Sequence, residues 1–351
     1  MLQPLVSIIT PMYNAEKTVT KMLESVLAQD YQNIEVIVID DDSTDGSVSI
    51  VSNLNKKYSN LKLVISDENI GPGPAKNMGM DLVKGKYFTF VDSDDWLEKN
   101  AITKMVNAAL SDNSDVVVAG YNQDYLKDDD SLDYTIKVLP PALKSNIFSN
   151  DIFAELDSSK TFSFCWQKLY KTSIIREYNV AFPPMMHSED FFFNIEYFTH
   201  VNKISIIHDA FYHYTKPKRQ TLTTNDYLPG FYDLIIQRYI ASRDFCIRRG
   251  CFEGYARSHI GNIHIKHMMS ALSYNRSPKS GMNYFSRLMF TRKMLKDETC
   301  IEAIENSVKD SHSAVILNTI MKTKSAFVIQ SFADIMWIIK NKFLWIFDKV
   351  K

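Results

Sequence analysis

Cysteine is sparse: Cys165, Cys246, Cys251 and Cys300 are the four in 351 residues, and none forms a C-x-x-C pair. That spacing speaks against a disulfide framework and against a zinc site, and a reducing cytosol is the simplest home. An excess of either charge is also lacking, with 40 Lys and Arg against 41 Asp and Glu, so no global field draws the chain to nucleic acid. No window reaches 18 uninterrupted apolar residues; the nearest, Ile335 to Phe347, is broken by Lys340, Asn341 and Lys342. The opening Met1-Leu2-Gln3-Pro4 has neither the basic start nor the apolar stretch of a secretory signal. A cytoplasmic protein is expected, with peripheral contact to a membrane left open. No internal repeat is visible. What the chain does have is a 45% hydrophobic share, enough for a sizeable core.

The first ~120 residues alternate β-branched runs with amphipathic segments, the rhythm of a mostly parallel sheet covered by helices. Strands are expected at Val6–Thr10, Glu35–Ile39, Lys62–Ser66, Tyr87–Val91 and Asp115–Ala119. Val19, Met22, Leu23, Val26 and Leu27 recur at helical spacing and predict a helix packed on that sheet. Asp45 is placed to cap the second helix, and Gly71-Pro72-Gly73-Pro74 breaks the chain before a third. Asp124–Asp133 reads as a solvated loop, an insertion on the acceptor side being the alternative. Short helices are expected at Thr172–Tyr178 and from Glu189 to about His200. An α/β domain over 1–225 is then followed by a helical region over 226–351, with helices at Leu228–Arg249, Tyr255–Tyr274, Tyr284–Leu295 and Ser313–Lys349.

In an open α/β sheet, ligands collect at the carboxyl ends of the strands, where loops converge and helix N-termini point inward. Three such ends are polar or acidic: Pro11-Met12-Tyr13-Asn14, Asp40-Asp41-Asp42 and Asp92-Ser93-Asp94-Asp95. Clustered carboxylates repel one another unless a cation compensates, which points to a hard divalent metal, Mn²⁺ or Mg²⁺, sharing its shell with a substrate diphosphate. The alternative is structural, with Asp95 capping a helix that starts near Glu98. The Gly71–Asn77 loop offers backbone amides and Lys76 to a phosphate, or is simply a turn into a helix. A dinucleotide fingerprint would need glycine where Lys76 stands, and no Walker-type Gly-Lys-Ser/Thr occurs. Glu189-Asp190 precedes Phe191-Phe192-Phe193, surroundings that suit a general base; simple acidic complementarity to a helix N-terminus is the competing reading.

Together these stretches resemble the family 2 glycosyltransferases, whose GT-A fold is a nucleotide-binding α/β domain. The matching segments are Val6–Asn14, Val38–Gly46, Asn69–Gly79, Phe90–Leu97 and Ser188–Asp190. The resemblance implies that Pro11, Tyr13 and Asp41 hold the nucleotide base, uracil suiting the Asp41 acceptor. It further implies that Asp92 and Ser93 lie by the ribose, that Asp94 binds the metal, and that Asp190 deprotonates the acceptor hydroxyl with inversion at the sugar. Lys76 stands where the family usually has Arg, supplying charge near the base or diphosphate without a bidentate fork. Asp42 replaces the usual Gly. The segment Phe211–Thr221 resembles the one that closes over the diphosphate in the family, which makes His213 and Arg219 candidates beside an ordinary surface or core role. Glu189, His187 and Trp166 are further acceptor or lid candidates.

Partners implied are a UDP-sugar and a glycan, lipid-linked or protein acceptor. A C-terminal apolar stripe, Phe332, Ile335, Met336, Ile339, Phe343 and Ile346, with Lys340, Lys342, Lys349 and Lys351 near it, reads either as an interfacial helix or as one packed on its own domain or on a second subunit in a homo-oligomer. The non-enzymatic alternative is a degenerate GT-A sugar-nucleotide-binding or scaffold protein.

Overall fold

The computed structural model describes residues 3–142, 147–148, 151–217 and 227–342. The chain divides into two compact units, Met1–Arg219 and Gln220–Lys351.

The first unit is built on one mixed sheet. β1 (Val6–Met12), β2 (Ile34–Asp40), β3 (Leu61–Ile65) and β4 (Tyr87–Phe90) pair in the parallel order β3-β2-β1-β4. β1, β2 and β4 are almost wholly buried, as expected of β-branched and aromatic runs covered on both faces. α1 (Val19–Leu27) buries Val19, Met22, Leu23 and Val26, the face that the helical spacing anticipates, while Leu27 is half-buried. α2 (Ser47–Asn55) and α3 (Pro72–Asp81) make the next crossovers. At the α2 start the N-cap is Gly46 rather than the expected Asp45, whose carboxylate, one residue further out, accepts the Ser47 N–H at 3.0 Å.

Beyond β4 the sheet turns mixed. It continues through β8 (Lys168–Lys171), β6 (Val116–Leu126) and β9 (Ile204–Lys216) to the short β5 (Trp96–Leu97). α4 (Ala101–Asp112), α5 (Ile152–Ser158), α6 (Thr172–Tyr178) and α7 (Glu189–Thr199) complete the unit. One expectation is corrected here. Asp124–Asp133 is not a loop: β6 runs on to Leu126 and pairs antiparallel with β7 (Leu132–Val138), so the turn is confined to residues 127–131. The alternation of Leu132, Tyr134 and Ile136 with Asp133, Thr135 and Lys137 carries the strand, and Thr135 Oγ1 donates to Asp124 Oδ1 at 2.7 Å.

The second unit is helical. α8 (Phe231–Arg248), α9 (Gly254–Tyr274), α10 (Tyr284–Met294), α11 (Glu298–Asn306), α12 (His312–Lys322) and α13 (Ala326–Lys342) follow in order. α9 packs against α8, α11, α12 and α13, which is why it is buried along much of its length. The helical unit departs from expectation in two main respects, an additional helix and a break in the last one. Asp297 accepts the Thr299 N–H and starts α11, and the Ser313–Lys349 segment breaks at Lys324, whose φ is +51°. α13 is held within its own unit: Arg287 pairs with Asp334 at 3.1 Å, Thr291 donates to Gln330 at 2.7 Å, and the Arg276 guanidinium lies 5.5 Å from the Trp337 ring. Phe343, Ile346, Lys349 and Lys351 lie outside the described residues. Among the described residues, no helix is long and apolar enough to cross a membrane.

Candidate active site

Register brings the polar loops together. Met12 stands opposite Asp40, and Ile9 opposite Phe90, so the chain leaves β1, β2 and β4 on one edge of the sheet. The first two loops are zippered: the Asn14 N–H donates to Ser43 Oγ at 2.9 Å, and the Thr44 N–H donates to Asn14 Oδ1 at 2.9 Å. Asp42 adopts φ +62°, the left-handed conformation that a glycine takes most easily, so its carboxylate is accommodated without the loop being rerouted. Tyr13 is 52% exposed, presenting its ring to solvent, and Pro11 is half-buried beside it. Asp41 is buried and already engaged, Oδ1 accepting from the Ile70 N–H at 2.7 Å and Oδ2 from the Gly71 N–H at 2.9 Å. Each oxygen keeps a second lone pair for a donor arriving from outside.

Gly71 and Gly73 set the third loop. Gly71 has φ +86°, and a Cβ on Gly73 would lie 2.9 Å from the Pro183 carbonyl oxygen. This close approach docks the α3 N-terminus on the segment before α7. Asn77 seals it, donating to the Phe182 carbonyl at 2.9 Å and accepting the Phe182 N–H at 2.8 Å. Lys76, only 3% exposed, then reaches Asp190 Oδ1 at 2.5 Å and Glu189 Oε1 at 3.3 Å. Burial opposes the lysine charge, yet Asp190, Asp92 and Glu189 hold its pKa well above the ordinary value. The other Asp190 oxygen accepts the Cys165 N–H at 3.2 Å. Burial, reinforced by Asp190 and opposed by Lys76, raises the Glu189 carboxyl. Ser188, just ahead of this pair, has φ +64°, and His187 is half-buried.

The acidic loop after β4 carries two kinds of aspartate. Asp92 is half-buried, and its carboxyl is pushed up to about 7 by burial, with Asp190, Asp94 and Glu189 adding to the shift against Lys76. Ser93 is half-buried and Asp94 exposed. Asp95 is different. It is buried, and it accepts the Tyr212 hydroxyl at 2.7 Å and the Thr215 N–H at 2.8 Å, while the Tyr212 oxygen accepts the Asp92 N–H at 3.1 Å. The alternative role of a helix cap is not the one Asp95 takes: α4 begins at Ala101 after Asn100, and Asp95 ties the acidic loop to β9. Among the described residues, no group of three or more His, Cys, Asp or Glu side chains is arranged to hold a metal. A hard divalent cation takes one or two carboxylates and completes its shell with phosphate and water. Asp92 and Asp94, two carboxylates two residues apart on the loop after β4, are oxygen donors of that kind.

The remaining candidates separate. His213 faces the other side of β9, with Nδ1 2.8 Å from Asp124 Oδ2 and its ring stacked on Trp96 at 3.5 Å. Trp166 is 2% exposed, stacked on Tyr212 at 4.3 Å, and so supports the strand beneath the loop. Arg219 lies outside the described residues. Sequence reasoning missed Tyr212, Asn77 and the Cys165 amide. Tyr212 and Asn77 sit inside quoted segments, but their partners are 120 and 105 residues away along the chain, and no local pattern reports such a distance. It also missed Lys168, which is fully buried, donates to the Phe162 and Phe164 carbonyls and is pushed down to about 7 by burial.

A parallel half-sheet with acidic loops at its carboxyl ends, extended by a mixed set of strands, is the GT-A fold. The chain superposes on Staphylococcus aureus TarS residues 1–349, solved with UDP-GlcNAc, with a TM-score of 0.61 at 21% identity over 94% of this chain and 90% of that one. The family model described as Glycosyl transferase family 2 matches residues 7–178, just under half of the chain. EpsH of Bacillus subtilis is 30% identical over 214 residues, 60% of each chain. TarS of Staphylococcus aureus, a poly(ribitol-phosphate) beta-N-acetylglucosaminyltransferase, is 28% identical over 242 residues, 65% of this chain and 39% of that one. The matched stretches thus span less than two thirds of these relatives' own length.

Proposed function

We propose that this chain is an inverting glycosyltransferase. It moves a hexosyl or N-acetylhexosaminyl group from a UDP-sugar to a hydroxyl of a glycan, lipid-linked or protein-linked acceptor. The observation that carries the reading is the Lys76 contact with Asp190, which brings a carboxylate from α7 beside the acidic loop after β4. Tyr13 and Asp41 would take the base, since an exposed ring and a carboxylate with spare lone pairs match the face and the N3–H of uracil. The TarS structure with UDP-GlcNAc supports that donor class.

In the reaction, Asp190 accepts the proton of the acceptor hydroxyl as its oxygen bonds to the anomeric carbon and the bond to the diphosphate breaks, releasing UDP. A carboxylate clasped by a lysine is a weak base. In this reading Lys76 turns from Asp190 to the incoming diphosphate, so that arrival of the donor both neutralises phosphate charge and frees the base. Held by Asp94 and the diphosphate, Mg²⁺ or Mn²⁺ would supply Lewis-acid stabilisation of the leaving group. The mannosyltransferase PcManGT of Pyrobaculum calidifontis, a structural neighbour with TM-score 0.50 at 15% identity over 92% of this chain and 88% of that one, was solved with GDP-Man and Mn²⁺.

A UDP-sugar panel assayed for UDP release, with and without EDTA, tests the proposal. Metal-dependent release from one donor is expected. Tight UDP-sugar binding with no release under any acceptor would instead identify a non-catalytic binding module.

A further inference from the structure

An aromatic platform lies beside the site. Tyr121, Gln123 and Tyr125 of β6 stand opposite Tyr212, Tyr214 and Lys216 of β9, and opposite Val138, Ile136 and Tyr134 of β7, so these side chains share one face of the sheet. Its inner end abuts the catalytic groups. Trp166 stacks on Tyr212, whose hydroxyl holds the acidic loop, and Cys165, between Phe164 and Trp166, donates its N–H to Asp190. From there the rings continue outward. Phe164 and Tyr214 flank Trp166 at 4.8 Å and 5.4 Å, and Tyr125 stacks on Tyr134 at 4.5 Å with an interplanar angle of 13°. The Lys216 ammonium bridges the two groups, 5.2 Å from the Tyr214 ring and 5.4 Å from the Tyr125 ring. Burial falls along this path, from 2% exposure at Trp166 to 51% at Tyr134 and 44% at Ile136.

We propose that the face of β6, β7 and β9 bearing Phe164, Tyr214, Tyr125 and Tyr134 is the acceptor subsite, and that it holds a glycan chain of several residues with its growing end at Asp190. The inference rests on the transferase reading for the identity of the occupant. Sugar rings present patches of C–H to flat aromatic faces, and the stacked tyrosines supply such faces. A β-hairpin reaching outward from the base also fits a long acceptor better than a single sugar. Continuity with the base, through the Cys165 amide, distinguishes this face from the exposed apolar residues scattered over the rest of the unit.

The full-length chain is applied to an array of defined oligosaccharides, and the tightest-binding one is titrated against wild type, Tyr134→Ala, Tyr134→Phe and the Tyr125→Ala/Tyr134→Ala double variant, with UDP titrated in parallel. The account expects oligosaccharides to bind better than their monosaccharides. It expects the double variant to lose about ten-fold in oligosaccharide affinity, Tyr134→Phe to retain it, and UDP affinity to stay unchanged. Equal oligosaccharide affinity in the double variant, or no gain with chain length, overturns the platform. Loss of UDP binding in wild type, with glycan binding intact, would instead strike the donor-site reading and leave the platform standing. Thermal melting of each variant separates lost stacking from lost folding, and Tyr134→Ala, at an exposed position, preserves the test if the double variant does not fold.

Discussion

At Lys76, Glu189 and Asp190, one cation with two acids is enclosed where water screens poorly. Removing one member leaves an uncompensated charge, so Lys76→Met is expected to destabilise the first unit by about 3–5 kcal/mol. Lys76→Arg keeps the charge and should recover most of that loss, but its planar fork changes the approach to Asp190. Chemical denaturation of the three proteins reads this directly; equal midpoints for wild type and Lys76→Met would show the pair to be solvated. The acidic positions were legible in the sequence because aspartates at strand ends stand out in a β-branched background. Their division of labour was not. Asp94 and Asp95 are neighbours of the same type, and what makes one exposed and the other a buried anchor is a tyrosine and an amide from β9.

At the level of elements, β9 governs the acidic loop. Tyr212 donates to Asp95 and accepts from the Asp92 amide, so its hydroxyl fixes the loop from below. Tyr212→Phe keeps the stacked ring and removes both bonds, leaving buried Asp95 short of a donor at a cost of about 1–3 kcal/mol. Donor KM is expected to rise more than kcat falls, because the loop is displaced while Asp190 is untouched; an unchanged donor KM would remove Tyr212 from the positioning role. The parallel strands and early helices were readable from period and composition. The β6–β7 hairpin was obscured by the charges of its turn, Lys127 to Asp130, which masked the alternation that begins at Leu132. α11 escaped because it is only nine residues long and the face it buries, Thr299, Cys300, Ala303 and Ile304, is made mostly of small or polar side chains.

For the whole molecule, the two units are stabilised by different means and should answer differently to acid. In the helical unit His264 is buried against Tyr239 and Thr299, and burial pushes its pKa from 6.5 down to about 4, with Asp297 offsetting part of the effect. A depressed histidine stays neutral in the folded state while the unfolded chain takes a proton. Its contribution is therefore full above pH 6.5 and is lost as pH falls toward 4, a change of up to about 3 kcal/mol. His264→Gln should flatten that acid limb in thermal melts between pH 4 and 7; an unaltered limb would assign the acid sensitivity elsewhere. The central claim, that the first unit transfers a sugar with Asp190 as base, is tested most directly by isothermal titration of the UDP-sugar and by turnover in Asp190→Asn beside wild type. Asparagine keeps the shape but cannot take the proton, so the account predicts retained donor binding and a loss of transfer of about 10²–10⁴-fold. Near-normal turnover in Asp190→Asn would contradict it.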